Sequence, residues 1–406
     1  MDTTVLLVFV AVYAGMLLGG LPGLALDRAG VALLGAIALV ATGRVTVGQA
    51  WNAVDVPTLA LLLGLMVVSA QFRLGGFYAR VGGWLAGHGG SPAALLALLV
   101  GVAGLLSALL ANDVVCLAMA PILAAGCARR GLDPVPYLLA LAAAANVGSA
   151  ATLIGNPQNM LIGQTLGLSF HGYLADALVP ALLGLGATWA LIAWRFAGRW
   201  ERAVVLTRTE QRDLAFDRWQ TAKGLAVLVA LVATFLLVPV PREAAALTAA
   251  GLLLLSRRMA SRDILGQVDW HLLVLFIGLF VVNHALIASG LTDRALAGLE
   301  HAGVRPASAP WLFGVTVVLS NLVSNVPAVM LLLPVARAHA QGGPILALAS
   351  TLAGNLLIVG SIANIIVVDQ AARLGVRIGW REHARLGVPI TLATLAIAAA
   401  WLWLRA

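Results

Sequence analysis

Residues 104–163 read GLLSALLANDVVCLAMAPILAAGCARRGLDPVPYLLALAAAANVGSAATLIGNPQNMLIG. The stretch is almost wholly apolar, yet polar residues break it at Ala111-Asn112-Asp113 and again from Gly148-Ser149 to Gly155-Asn156-Pro157-Gln158-Asn159. In water this would be a poor loop. In a bilayer, a centred Asp costs about 2.5–3.5 kcal/mol even on the lenient insertion scale. A carboxylate and a group of amides at mid-depth therefore call for a purpose, and the stretch reads as one half of a binding site inside a membrane protein.

The rest of the chain agrees with a bilayer setting. Of 406 residues, 61% are hydrophobic and 10% charged, against roughly 25% charged in soluble domains. Apolar runs predict spans at about 4–19, 29–42, 57–74, 135–167, 174–197, 221–238, 243–256, 269–289, 343–369 and 385–404. Several approach the ~17–25 residues a helix needs to cross the hydrocarbon. Segments 92–127 and 309–337 differ, because each is broken at its middle by polar residues. Their arms, about 13–15 residues each, fall short of a full crossing. They read as re-entrant hairpins, tolerated at depth only where buried in protein or lining a wet cavity.

The net charge of +8 forms no stripe that would suit nucleic acid. With the N-terminus outside, nineteen of the 25 Lys and Arg fall on the cytoplasmic side, Arg73 among them, and six outside. That is the bias the positive-inside rule predicts, and it puts both termini outside the cytoplasmic membrane. Asp2 and the lack of a basic n-region argue against a cleaved leader. Cys116 and Cys127 support neither a disulfide framework nor a Cys-rich metal site.

The two halves repeat. Asp55 and Gly64 match Asp269 and Gly278 at an offset of 214; Ser107, Asn112 and Pro121 match Ser320, Asn325 and Pro334 at 213; Gly155 and Asn159 match Gly360 and Asn364 at 205. Five crossings per half is odd, so the second half is inverted, a recurrent secondary-transporter plan. The expected fold is an all-α polytopic membrane protein. It has about ten transmembrane helices plus two re-entrant hairpins, in two inverted repeats with broken helices at the midplane. The first repeat is 1–197 (hairpin 92–127, broken helix 135–167), the cytoplasmic linker 198–220, and the second repeat 221–406 (hairpin 309–337, broken helix 343–369).

Candidate substrate- and ion-binding residues follow from the breaks. They are Asn112, Asp113, Ser149, Gly155, Asn156 and Asn159 in the first half, and Ser324, Asn325, Ser361 and Asn364 in the second. Asp113 can carry a proton or supply a hard oxygen to a cation; a structural alternative is that it caps the helix after it. Asn112, Asp113, Ser324 and Asn325 together would suit Na⁺. Pro157 suits the first turn of a half-helix whose N-terminus favours an anion. Val326 stands where a second carboxylate would match Asp113. No Arg or Lys is expected near the site, so an anion would rest on helix dipoles and amides. Asp55 and Asp269 read as helix caps, Asp369 as a surface anchor, and 75–87 as an interfacial helix. No P-loop, HExxH or GxSxG occurs, and a membrane aspartyl enzyme would need two close carboxylates. The expectation is a transporter and no enzyme, with no cofactor beyond Na⁺ or H⁺ as coupling ion.

At these motifs the chain resembles the ion transporter superfamily. Its groups include divalent anion:sodium symporters, arsenite-efflux (ArsB-type) pumps and NhaD-type sodium/proton antiporters. Ala111-Asn112-Asp113 resembles the arsenite-pump tip. Gly155-Asn156-Pro157-Gln158-Asn159 is similar to YbiR-type anion permeases. Ser324-Asn325 resembles the Ser-Asn-Thr tip of the dicarboxylate symporters, with Val326 in place of the threonine. The resemblance implies a secondary active transporter for a small anion or oxyacid such as arsenite, coupled to H⁺ or Na⁺, working by an elevator-like cycle. It also implies lipid contact and a homodimer. A Na⁺/H⁺ antiporter is the near alternative, and a sodium-coupled dicarboxylate symporter a further one.

Overall fold

The computed structural model describes residues 2–21, 23–202, 216–303, 305–306 and 308–406. Of the expected linker 198–220, residues 203–215 lie outside the described residues. The described residues form helices and irregular connections, with two isolated bridges and no strand.

Each sequence-predicted span is a helix or a helix pair. The first half runs α1 (Thr3–Leu18), α2 (Arg28–Ala41), α3 (Val47–Ala53), α4 (Val56–Leu74), α5 (Phe77–Ala86), α6 (Pro92–Leu109), α7 (Asn112–Arg129), α8 (Pro134–Ser149), α9 (Pro157–Thr165) and α10 (Phe170–Phe196). The second runs α11 (Arg218–Leu237), α12 (Arg242–Leu254), α13 (Ser261–Leu265), α14 (Trp270–Ala288), α15 (Leu291–His301), α16 (Ala309–Val323), α17 (Asn325–Arg337), α18 (Gly342–Ala353), α19 (Ile362–Arg373) and α20 (Trp380–Leu404). A short 3₁₀ turn, Ile358–Gly360, lies between α18 and α19. Among the described residues, seven helices, α4, α6, α7, α10, α11, α14 and α20, are long and apolar enough to cross a membrane alone.

Side chains at chain ends and connections sort by face. Asp2 pairs with Arg44 at 3.2 Å and Asp176 with Arg405 at 2.9 Å. Asp133 pairs with Arg202 at 3.7 Å and Asp217 with Arg258 at 3.9 Å. Each pair joins residues that the charge bias puts on one side. The second set lies on the face carrying most of the arginines, here called the arginine-rich face. Asp369 is exposed and pairs with Arg373 at 2.8 Å, as a surface anchor would. The segment 75–87 holds α5, whose Tyr78 and Leu85 are buried and whose Gly82 meets Ile122 of α7.

Positions matched by offset do the same local work. Asp55 caps α4 by accepting from the Thr58 amide at 3.0 Å, and Asp269 caps α14 by accepting from Leu272 at 3.0 Å. At Gly64 a methyl group would fall 2.7 Å from the Ala246 backbone, and at Gly278 it would fall 2.6 Å from that of Ala32. Absence of a side chain thus lets α4 sit directly on α12, and α14 on α2. Small residues at such contacts are how membrane helices gain van der Waals packing where lipid supplies no hydrophobic drive. Every residue of α8 and of α18 is buried. A helix buried all round sits at the bundle centre.

Hairpin α6–α7 corrects one expectation. Its arms are 18 residues each, not about 13–15. At the tip the Asn112 backbone amide donates to the Gly155 carbonyl at the break, at 3.4 Å. The nine residues of α9, about 14 Å of helix, continue beyond that point. The hairpin's base is closed by Arg130, which donates to the carbonyls of His88 (2.8 Å) and Gly90 (2.9 Å). The arms of α16–α17 are 15 and 13 residues.

Candidate functional site

The chain unwinds between α8 and α9 because Gly155 fits where a side chain does not: an added methyl would fall 2.4 Å from the Ser149 carbonyl oxygen. Pro157 opens α9, and the Asn156 side chain caps it by accepting from the Asn159 amide at 2.9 Å. In the second break Ser361 caps α19 by accepting from Ala363 at 3.2 Å. Asn159 then donates to the carbonyls of Ser149 (3.4 Å) and Thr152 (2.9 Å), and Asn364 to those of Gly354 (2.8 Å) and Leu357 (3.0 Å). The acceptors match at the same offset as the donors. Backbone carbonyls freed by unwinding must find partners at this depth, and one amide in each break supplies them.

The breaks also hold each other. Asn146 of α8 donates to the side-chain oxygens of Asn355 (2.8 Å) and Asn364 (3.3 Å), and its own oxygen accepts from Ser361 (2.8 Å) and Asn112 (3.3 Å). Thr351 of α18 accepts from Asn156 (3.3 Å) and Gln158 (3.1 Å) and donates to Asn159 (3.3 Å). Asn146 and Thr351 are themselves related by the 205 offset. Sequence reasoning missed both. The matched offset was the available signal, but each sits inside an apolar run where a single polar residue attracts no notice.

The two hairpin tips face each other across a small cavity of about 30 Å³. Asn112, Asp113, Ser324, Asn325 and Ser361 line it, with Gln158 added by the structure. Such a volume holds one or two water-sized species. Asn325 can turn its amide to donate to the carbonyls of Ser350 (3.1 Å) and Gly360 (3.3 Å). The remaining sequence candidates, Ser149, Gly155, Asn156, Asn159 and Asn364, stand behind this wall, where the polar side chains already have partners inside the protein.

Asp113 differs from its neighbours. It lies in the first turn of α7, but no side chain caps that helix. Its carboxylate makes no hydrogen bond or ion pair among the described residues, and it is half-buried. It lines the small cavity and also a larger one of about 230 Å³. That larger cavity includes Gln267, Asp269 and Arg73. A guanidinium is therefore connected to the site by open space, contrary to the expectation that no Arg or Lys lies near it. Arg73 reads as a topology signal because it ends α4; only packing reveals the cavity beside it. Asp269 is both a helix cap and part of the same wall.

Comparison with known proteins adds four findings. Residues 5–353 match the family model described as citrate transporter (CitMHS). The chain is 31% identical over 398 residues to an uncharacterized transporter of Mycobacterium bovis, covering 92% of this chain and 93% of that one. It is 30% identical over 453 residues to a silicon efflux transporter of Oryza sativa subsp. japonica, covering 93% and 92%. Among solved structures, the YdaH transporter of Alcanivorax borkumensis, described as having an unusual topology, aligns with a TM-score of 0.56 at 16% identity, over 99% of this chain and 97% of that one. At that identity the likeness is one of fold.

Proposed function

Since the chain belongs to the citrate transporter family and is a membrane transporter, we propose that it moves a small anion or oxyacid across the cytoplasmic membrane, driven by H⁺ or Na⁺. Asp113 is the coupling group. The observation that carries this is its carboxylate: set at a hairpin tip, neither capping a helix nor paired among the described residues, and open to two cavities. An intramembrane acid without a structural task is a functional group by default. Asn112, Ser324 and Asn325 add the oxygens that a Na⁺ ion needs. The family's citrate description and the silicon efflux relative bracket the cargo between a carboxylate and a weakly acidic oxyacid. Residues 1–197 and 221–406 act as inverted units joined by 198–220, both termini lie outside, and the chain works as a homodimer in lipid.

A sodium/proton antiporter is the second reading, favoured by one observation: the cavity between the tips, about 30 Å³, suits a bare cation and no organic acid. Proteoliposomes decide between them. Under imposed H⁺ or Na⁺ gradients, the first reading expects uptake of at least one of arsenite, silicate, phosphate or citrate, lost in Asp113→Asn. Cation-driven pH change without any anion would establish the antiporter instead. An Asp113→Asn variant with unchanged rate and pH dependence removes Asp113 from either scheme.

A further inference from the structure

We propose that Arg73 recognises the anion at a second station on the transport path, in the cavity between the first hairpin tip and the arginine-rich face. The ligand class is a small oxyanion or carboxylate. This rests on the transport reading above and deepens it by naming where the cargo's charge is read.

Three observations converge. The space between the tips is about 30 Å³, whereas the cavity on Arg73 is about 230 Å³ and continuous in its lining with the tips through Asp113, Pro157 and Ile362. Only the larger one admits an oxyanion. Its walls are otherwise chiefly apolar, with Leu62, Leu65, Met66 and Leu117. An apolar wall lowers the local dielectric and strengthens a guanidinium–anion pair. Finally, Arg73 is half-buried and makes no ion pair or side-chain hydrogen bond among the described residues, while Arg28, Arg130 and Arg242 spend theirs on carbonyls. A guanidinium offers a planar fork for two oxygens of one ligand, which an ammonium does not.

The charges set an order of events. Arg73 shares the cavity with Asp113 and Asp269, so with all three ionised the walls carry one net negative charge and disfavour an anion. A proton or Na⁺ on Asp113 brings the walls to neutrality. Loading of Asp113 and binding of the anion at Arg73 therefore assist each other, and by linkage the assistance is reciprocal.

The test uses the full-length chain in detergent. Thermal unfolding is followed while arsenite, silicate, phosphate or citrate is titrated into the wild type, Arg73→Gln, Arg73→Lys and Asp113→Asn. At least one anion is expected to stabilise the wild type, with its apparent Kd raised about tenfold or more in Arg73→Gln, as for loss of a charge-assisted hydrogen bond. Arg73→Lys should lose less, and Asp113→Asn should bind more tightly than the wild type. If Arg73→Gln does not fold, Leu117→Trp, which fills the cavity without altering the guanidinium, should give the same loss. An unchanged response in the folded Gln or Trp variant overturns the proposal, as does a wild type that none of the anions stabilises. Proteoliposome uptake separates this from the transport reading. Transport with an unchanged KM in Arg73→Gln removes Arg73 alone. Arg73-dependent binding without any transport removes the transport reading alone.

Discussion

Hairpin tips α6–α7 and α16–α17 occupy matched positions yet are built on opposite economies of charge and backbone. The first keeps an ordinary backbone (Ala111 at φ −57°) and carries the carboxylate of Asp113. The second has buried Val326 at the matching place, and turns through Ser324 at φ 76° and ψ 160°. Ser324 is the sole non-glycine with positive φ among the described residues. That region is essentially reserved for glycine, and holding another residue there costs of order 1–3 kcal/mol. One tip thus stores charge and the other stores strain, although both present an Asn to the same cavity. A duplicated frame need not duplicate the chemistry: the shared parts hold the breaks open, and the unshared parts distinguish the two tips.

The comparison breaks most sharply at the carboxylate. Asp113→Asn should lower gradient-coupled uptake about 100-fold, corresponding to about 2.7 kcal/mol in the barrier. Moving the acid to the other tip (Asp113→Val with Val326→Asp) should not restore the wild-type rate. Restoration, read in the same proteoliposome assay, would mean the tips are interchangeable. Next come the crossing residues. Asn146→Ala removes four side-chain bonds and leaves Ser361 and Asn112 without their acceptor; about 3 kcal/mol of stability should be lost, against about 1–2 kcal/mol for Thr351→Val. Thermal unfolding in detergent gives the ranking, and equal losses would contradict the larger share of the bonding between the breaks that falls to Asn146.

The symmetric part of the frame makes the opposite prediction. Gly64→Val and Gly278→Val each drive a side chain into a facing backbone within 3 Å, and each should cost about 2–3 kcal/mol. Closely matched losses are expected, and a several-fold disparity would show that the two contacts are not equivalent. The smallest effect is at the strained turn. Ser324→Gly should raise stability by about 1 kcal/mol, with transport slowed more than the stability gain would suggest if the strain assists opening of the cavity.

How much of this was legible without the fold depends on the residue. That the apolar runs are helical, singly or in pairs, followed from hydropathy because a bilayer forces every apolar run of sufficient length into a helix. The breaks followed from Gly155, Pro157 and Ser361, whose backbone and capping preferences are local. Asp113 stood out because a carboxylate in hydrocarbon is costly wherever the chain turns. By contrast, Asn146 and Thr351 looked like isolated polar residues, since their partners lie roughly 200 positions away. Arg73 looked like one more topology signal at the end of an apolar run. The first hairpin's bounds agree with the sequence reading, 92–127, but its arms are longer than expected because helix runs unbroken from Pro92 to Leu109 and from Asn112 to Arg129, right up to the tip.

By itself, then, the sequence determined what the lipid enforces residue by residue: which segments are helical, where they must break, which face is basic, and which acid is out of place. The tertiary structure alone decided which breaks meet, that Asn146 and Thr351 lock them, and that Arg73 and Asp269 look onto the same space as Asp113. The first set depends on transfer of single side chains and backbone groups between water and hydrocarbon, a property that each short stretch carries. The second depends on close packing between helices far apart in the chain, settled by volumes as small as the missing methyl groups of Gly64 and Gly278.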